Sequence, residues 1–236
     1  MAHSWISSKV LGPLTVAAIV GVAMWNLPLG AAEPAVTIPA PAVDAPVQPG
    51  LQKIVLAGGC FWGIQAVYQH TDGVKQAVSG YAGGTKQTAN YQLVSGGSTS
   101  HAEVVEVTYD PQKISYGKIL QIFFSVAHNP TELNRQGPDT GPQYRSNIFY
   151  ANAEQKRVAE AYIDQLNKLG VYKRPIVTRI DKLDAFYAAE DYHQDYAIRH
   201  PNNSYIVYND APKVENLKKL LPDVFRSNPV TVASAG

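Results

Sequence analysis

One cysteine, Cys60, stands alone in a chain of 236 residues. A lone thiol can neither close an internal disulfide nor build a Cys-rich zinc site, so Cys60 is either a small buried hydrophobe or a reactive group. Charge of one sign is also missing. The 20 basic and 19 acidic side chains are scattered, which removes the basic footprint that nucleic-acid binding requires. No internal repeat of solenoid period runs through the sequence. The glycine pairs 58/59, 83/84 and 96/97 match no phosphate-loop pattern, so nucleotide binding has no support.

Residues 1–32 differ from the rest. Lys9 precedes the uncharged apolar stretch "LGPLTVAAIVGVAMWNLPLG", and the small residues "AAEP" follow it. Two readings fit: a secretory signal peptide, or an uncleaved membrane anchor through residues 10–32, long enough for about 30 Å of hydrocarbon. Because Lys9 stays on the inner side, both send the remaining chain out of the cytoplasm. A periplasmic or otherwise exported location is the expectation. Residues 33–50, "EPAVTIPAPAVDAPVQPG", alternate proline with small residues and read as an extended Pro/Ala-rich linker without the apolar mass for a core. The folded domain is expected from Leu51, with residues 51–205 as its catalytic part and 206–236 as a peripheral C-terminal extension carrying a short helix near "VENLKKLL".

Within the domain, "KIVLA" (53–57) predicts a buried strand and Gly58-Gly59 its end. Ile64, Val67, Tyr68 and Thr71 then recur at helical spacing until Gly73. Residues 74–84 and the alternating "AEVVEVTYD" (102–110) predict two further strands. Ser115 is placed to cap the helix "YGKILQIFFSVA". A long loop is expected at 128–144, a strand at 145–151, an amphipathic helix at 153–170 ended by Gly170, and an edge strand at 175–181. The order β-α-β-β-α-β implies an α+β fold: a two-layer split, ferredoxin-like core with additional C-terminal elements and loops.

Cys60 sits in "GGCFWG", where a strand hands over to a helix. Unpaired N–H groups and the helix dipole favour negative charge there, so a lowered thiol pKa and a nucleophilic role are expected. Phe61 and Trp62, beside glycines, read either as an exposed pair offering an apolar surface to a substrate or as core rings. None of the six histidines carries a local signature for a cysteine protease. Glu103 begins a strand among apolar residues. If it faces the core, burial makes it a proton donor; if not, it is a solvated carboxylate on the polar face. Asp139 and Tyr144 flank a Gly/Pro loop long enough to be functional, or serve its turns. In "AEDYHQDY", Glu190, Asp191, His193 and Asp195 point to different faces of a helix, and no metal site is expected.

Read together, "GGCFWG", "GYAGG", "NYQLVSGGSTSHAEVVEVTYDP", "LNRQGPDTGPQYRSNIFY" and "AEDYHQDY" resemble, in this order, the A-type peptide methionine sulfoxide reductases. The resemblance runs from about Lys53 to about Pro201. It implies reduction of methionine S-sulfoxide, free or in oxidised proteins, with no bound cofactor. By the same resemblance Cys60 attacks the sulfoxide sulfur and Glu103 protonates the oxygen. Tyr91 and Tyr144 hold that oxygen, Asp139 supports them, and Phe61 with Trp62 form the slot for the methyl group. The chemistry agrees: a sulfoxide is a poor electrophile until its oxygen is protonated, and its methyl needs apolar walls while its oxygen needs donors.

Cys60 then becomes a sulfenic acid. Many relatives carry recycling cysteines, one aligned with Ser95 and others in a C-terminal tail; here Ser95 is a serine and "NPVTVASAG" has no thiol. An external thiol, a small molecule or a thioredoxin-like protein, is therefore the expected reductant of a monomeric enzyme. Two other classes stay open on the residues: a one-cysteine thiol peroxidase or other Cys-nucleophile enzyme such as a Cys-His acyl transferase, and an exported binding module with an aromatic slot.

Overall fold

The apolar run Ile54–Ala57 builds strand β1 (Gln52–Gly58), which is covered on both faces and so shows no polar alternation. The structure, a computed structural model, describes residues 1–3 and 35–232. Apart from its first three residues, the expected leader over 1–32 lies outside the described residues.

Helix α1 (Phe61–Gln69) follows β1 and turns Ile64, Val67 and Tyr68 inward. Strand β2 (Val74–Ala82) leads through the one-turn helix α2 (Tyr91–Val94) to β3 (Ala102–Tyr109). As the sequence suggests, Ser115 caps α3 (Tyr116–Ile122), its hydroxyl accepting the Lys118 N–H at 3.1 Å; the helix then widens into a π-type turn, Phe123–Ala127. The loop expected at 128–144 holds a small hairpin, β4 (Arg135–Gln136) and β5 (Asp139–Thr140). Strand β6 (Ser146–Tyr150) is followed by α4 (Ala153–Leu169), which ends on left-handed Gly170, φ 61°. The edge strand lies at β7 (Arg179–Lys182), later than the expected 175–181, and a strand not read from the sequence, β8 (Phe186–Ala188), follows it. Two helices complete the chain, α5 (Tyr196–Arg199) and α6 (Ala211–Leu220).

The sheet runs β7-β6-β1-β3-β2-β8. Its four inner strands pair antiparallel in the split arrangement that the element order predicts; β7 adds parallel to β6 and β8 antiparallel to β2. Alternation along each strand divides the core. Ile54, Leu56, Val105 and Val107 face α1, α3 and α4 in the main cluster, while Val55, Ala57, Val104 and Phe149 form a thinner cluster under Leu183 and Phe186. Glu103 shares the parity of Val105 and Val107. Its side chain therefore enters the helical layer, and it is 2% exposed.

Two segments are more integral than their composition implied. The Pro/Ala stretch is extended, yet it docks as a strap: Ile38 is buried in the core at 5% exposure, Val36 exchanges hydrogen bonds with Ser125, and the Tyr162 hydroxyl donates to Pro39 O at 2.7 Å. Asp44 accepts the Gly117 N–H in the first turn of α3 at 2.7 Å. Spread over several elements, these partners leave no periodic trace in the sequence. Nor is the C-terminal extension peripheral over its described residues, 206–232: Ile206, Asp210 and Leu217 are buried, and α6, the helix expected near "VENLKKLL", packs on α1.

Candidate active site

Cys60 is the N-cap of α1, as expected. The turn that delivers it depends on Gly59, whose φ of 95° is costly for any side chain. A Cβ there would also meet the Gln136 side chain at 2.6 Å. Gln136 in turn holds the 128–144 loop, accepting the Asn129 N–H at 2.9 Å and donating to its carbonyl at 2.7 Å.

The expected lowering of the thiol pKa is overturned. Cys60 keeps only 9% of its surface open; burial pushes its pKa well up, and Asp210, Glu103 and Asp139 push it further, with the Trp62 backbone N–H pulling the other way. The helix end is real, but its dipole is outweighed by desolvation and three acids. Two of those acids come from segments that sequence spacing cannot connect to residue 60.

Glu103 fulfils the core-facing reading. Its Oε2 accepts the Phe61 N–H at 3.1 Å, on the first turn of the helix that Cys60 caps. Burial raises its pKa to about 8, with Asp139 and Asp210 adding to the rise against the opposing Phe61 N–H. At neutral pH it is a protonated donor.

Tyr91 opens α2, where its N–H donates to Glu190 Oε1 at 2.9 Å; the other carboxylate oxygen accepts the Tyr81 hydroxyl at 2.9 Å. Burial first, then Glu103 and Cys60, raise the Tyr91 pKa, so its hydroxyl stays a donor. Tyr144 is likewise raised by burial and by Glu103, Asp139 and Cys60. Beside it, buried Arg145 is anchored to the carbonyls of Ser100, His101 and Pro142. Asp139 accepts the Tyr205 hydroxyl, and burial raises its carboxyl pKa. Thus Cys60, Glu103, Tyr91, Tyr144 and Asp139 share one electrostatic neighbourhood.

The two readings of the aromatic pair divide between its members. Phe61 is 1% exposed, packed against Tyr81 and His193 with ring centroids 5.9 and 5.0 Å away. The first turn of α1 lies against the sheet, so its first ring has no outlet. Trp62 alone stays partly open. It stacks on Tyr196 at 3.8 Å, meets Tyr205 edge-on at 5.9 Å, and donates its Nε1–H to His193 Nδ1 at 3.2 Å. Burial lowers the His193 pKa, keeping the ring neutral and able to accept that bond.

Four contributors escaped the sequence reading. Glu190, His193 and Tyr196 lie in "AEDYHQDY", a segment weighed as a metal cluster and quoted for the family resemblance but given no role residue by residue; the signal for positioning was its mixture of acids and rings. Tyr205 carried no signal. Among the described residues no group of His, Cys, Asp and Glu could hold a metal ion. A nearly buried thiol, a protonated carboxyl, hydroxyl donors and an indole wall can together receive a small polar group bonded to an apolar one and transfer an atom between sulfur centres.

Comparison with known proteins points the same way. Residues 52–223 match the family model described as "Peptide methionine sulfoxide reductase". The Mesorhizobium japonicum protein called "Peptide methionine sulfoxide reductase MsrA 2" is 56% identical over 82% of this chain and 99% of its own length. A Synechocystis protein of the same description is 50% identical, over 80% of this chain and 91% of its own. Among solved structures, the reduced form of Mxr1 from Saccharomyces cerevisiae gives a TM-score of 0.60 at 36% identity, covering 67% of this chain and 91% of that one. Methionine sulfoxide reductase A of Corynebacterium diphtheriae gives 0.56 at 33% identity, covering 73% and 88%.

Proposed function

The chain belongs to the peptide methionine sulfoxide reductase family and reduces methionine sulfoxide with thiol electrons, and on that premise we propose how its residues divide the work. Cys60 Sγ attacks the sulfoxide sulfur while Glu103 gives its proton to the oxygen. The oxygen leaves the substrate sulfur for that of Cys60, and the thiol proton replaces the one Glu103 lent. The products are a thioether and a Cys60 sulfenic acid; two electrons leave the cysteine and two enter the substrate.

Tyr91 and Tyr144 donate to the oxygen, and Asp139, through Tyr205, orients the opposite rim. The Trp62 face receives the methyl group, with Phe61 supporting it from inside. Because donors and the apolar wall occupy different sides of the sulfur, only one configuration at that sulfur fits, and we assign the S epimer. The observation that carries this reading is Glu103: a buried acid held to the Phe61 N–H of the helix that Cys60 caps, protonated up to about pH 8.

Regeneration falls to an external thiol, since one cysteine cannot form an internal disulfide. One thiol condenses with the sulfenic acid, releasing water, and a second displaces Cys60 from the mixed disulfide. A thioredoxin-like protein or a small thiol can serve. Oxidised exported proteins are the substrates in this reading, with the enzyme a monomer, released by signal cleavage or held at the membrane through residues 10–32. The peroxidase and binding-module readings give way to the family match.

The test supplies purified protein, dithiothreitol and separated S and R methionine sulfoxides, following each by chromatography. Loss of the S form alone is expected, and none with Cys60→Ser. Equal loss of both epimers, or activity surviving Cys60→Ser, would discard the assignment.

A further inference from the structure

Asp210 is 0% exposed, beside the first turn of α1, in a segment that no step above uses. It packs directly on Gly63: a Cβ at that glycine would meet Asp210 Oδ1 at 2.2 Å and Lys213 Nζ at 2.8 Å. Lys213, itself 7% exposed, donates to Oδ1 at 3.3 Å across one turn of α6. Oδ2 is buried without a hydrogen-bond partner. An ion pair taken out of water costs more than it returns unless it is retained for something other than stability.

Its position suggests what that is. Three acidic groups converge on the start of α1, the Cys60 thiol, Glu103 and Asp210, and the cation Lys213 lies among them. A helix terminus favours a single negative charge, and each further one is opposed by those already there.

We propose that the Asp210–Lys213 pair is a positioning element for the thiol: Asp210 occupies the anionic place at the start of α1 and thereby holds Cys60 protonated between turnovers. The role follows from the missing second cysteine. A thiolate reacts with peroxide and other electrophiles, and this chain has no internal thiol to rescue the product. A thiol kept neutral until substrate arrives is spared that loss. Burial raises the Asp210 carboxyl only to about 6 against the pull of Lys213, so the charge is in place at neutral pH. The other groups facing Cys60 and Asp210 are Glu103, Asp139, Tyr205, Tyr91 and Tyr144. Glu103 and the tyrosines are neutral at pH 7, which leaves Asp210 and Asp139 as the acids that oppose ionisation.

The proposal rests on Cys60 as the reacting thiol, but its test needs no sulfoxide. Alkylation by iodoacetamide, followed by intact mass across pH 6 to 10 on the full chain, reads Cys60 alone because there is no other thiol. Asp210→Asn should speed alkylation at pH 7 roughly 3- to 10-fold and move the midpoint of the pH profile down by about one unit; the rate gain is the smaller because nucleophilicity falls with pKa. Lys213→Arg, which keeps the cation that holds Asp210 ionised, should leave both unchanged. That contrast is the signature, because a merely structural pair packed tightly on Gly63 would be loosened by the larger guanidinium as well and speed both. Should Asp210→Asn fail to fold, the apolar replacement Asp210→Leu with Lys213→Met should still raise the rate, by less. A rate gain in Lys213→Arg equal to that in Asp210→Asn, or an unchanged midpoint in Asp210→Asn or in the apolar double variant, would overturn the proposal.

Discussion

Glu103 concentrates the conflict between stability and activity. Its carboxyl titrates at about 8 rather than the ordinary 4.5, so the folded protein binds that proton more tightly than the unfolded chain. Stability consequently declines as pH rises from about 4.5 to about 8. Glu103→Gln keeps the acceptor for the Phe61 N–H but cannot ionise. It should melt higher than the parent at pH 8 to 9, by a stability margin of roughly a few kcal/mol, with the two converging near pH 4. The same variant should lose on the order of 10³-fold in kcat, with substrate binding largely kept. In the parent, kcat should fall with unit slope above about pH 8, where the donor loses its proton. Thermal melts and steady-state rates over one pH series check all of this. That Glu103 faces inward was half legible: strand parity allowed two answers, and only the cover on both faces of β3 decided between them. The ionisation of Cys60 was misread for a related reason. Its helix end is local and visible, whereas the burial and the acids at 139 and 210 are products of tertiary packing.

At the scale of elements, segments with a period of their own were legible. The apolar run of β1, the alternation in β3, the Ser115 cap and the Gly170 stop each state their role in neighbouring residues. The strap at 35–45 does not. Its hydrogen bonds go to Gly117, Gln121, Ser125, Tyr162 and Gln165, brought together only once α3 and α4 have packed. Removing residues 1–50 should therefore destabilise the domain by on the order of 2–4 kcal/mol, through the lost hydrogen bonds and the vacated seat of Ile38. Denaturant titration against the chain beginning at residue 33 measures the loss. At 25 °C kcat should be nearly unchanged, since these contacts lie on α3 and α4 rather than around Cys60.

For the whole molecule, the split sheet was legible because β1, β2, β3 and β6 follow each other in simple order; the edge β7 was read but placed a few residues early, and β8, short and half exposed, was not read. Of the C-terminal segment only the helix near "VENLKKLL" was read, now α6, yet the segment closes the body: its tail ties the Val232 N–H to Asp195 and the Val230 N–H to Gln69 O, at the far end of α1 from Cys60. With no thiol there or at Ser95, turnover without reductant should stop at one methionine per chain. Quantified methionine and intact mass should show one added oxygen and no loss of two hydrogens. The strap bears on the opposite terminus. Docking from Val36 to Asp44 clamps α3 at both ends, through Ser125 just past its last turn and Gly117 in its first. Buckled at two points, that helix should come loose as one piece when either fastening is cut.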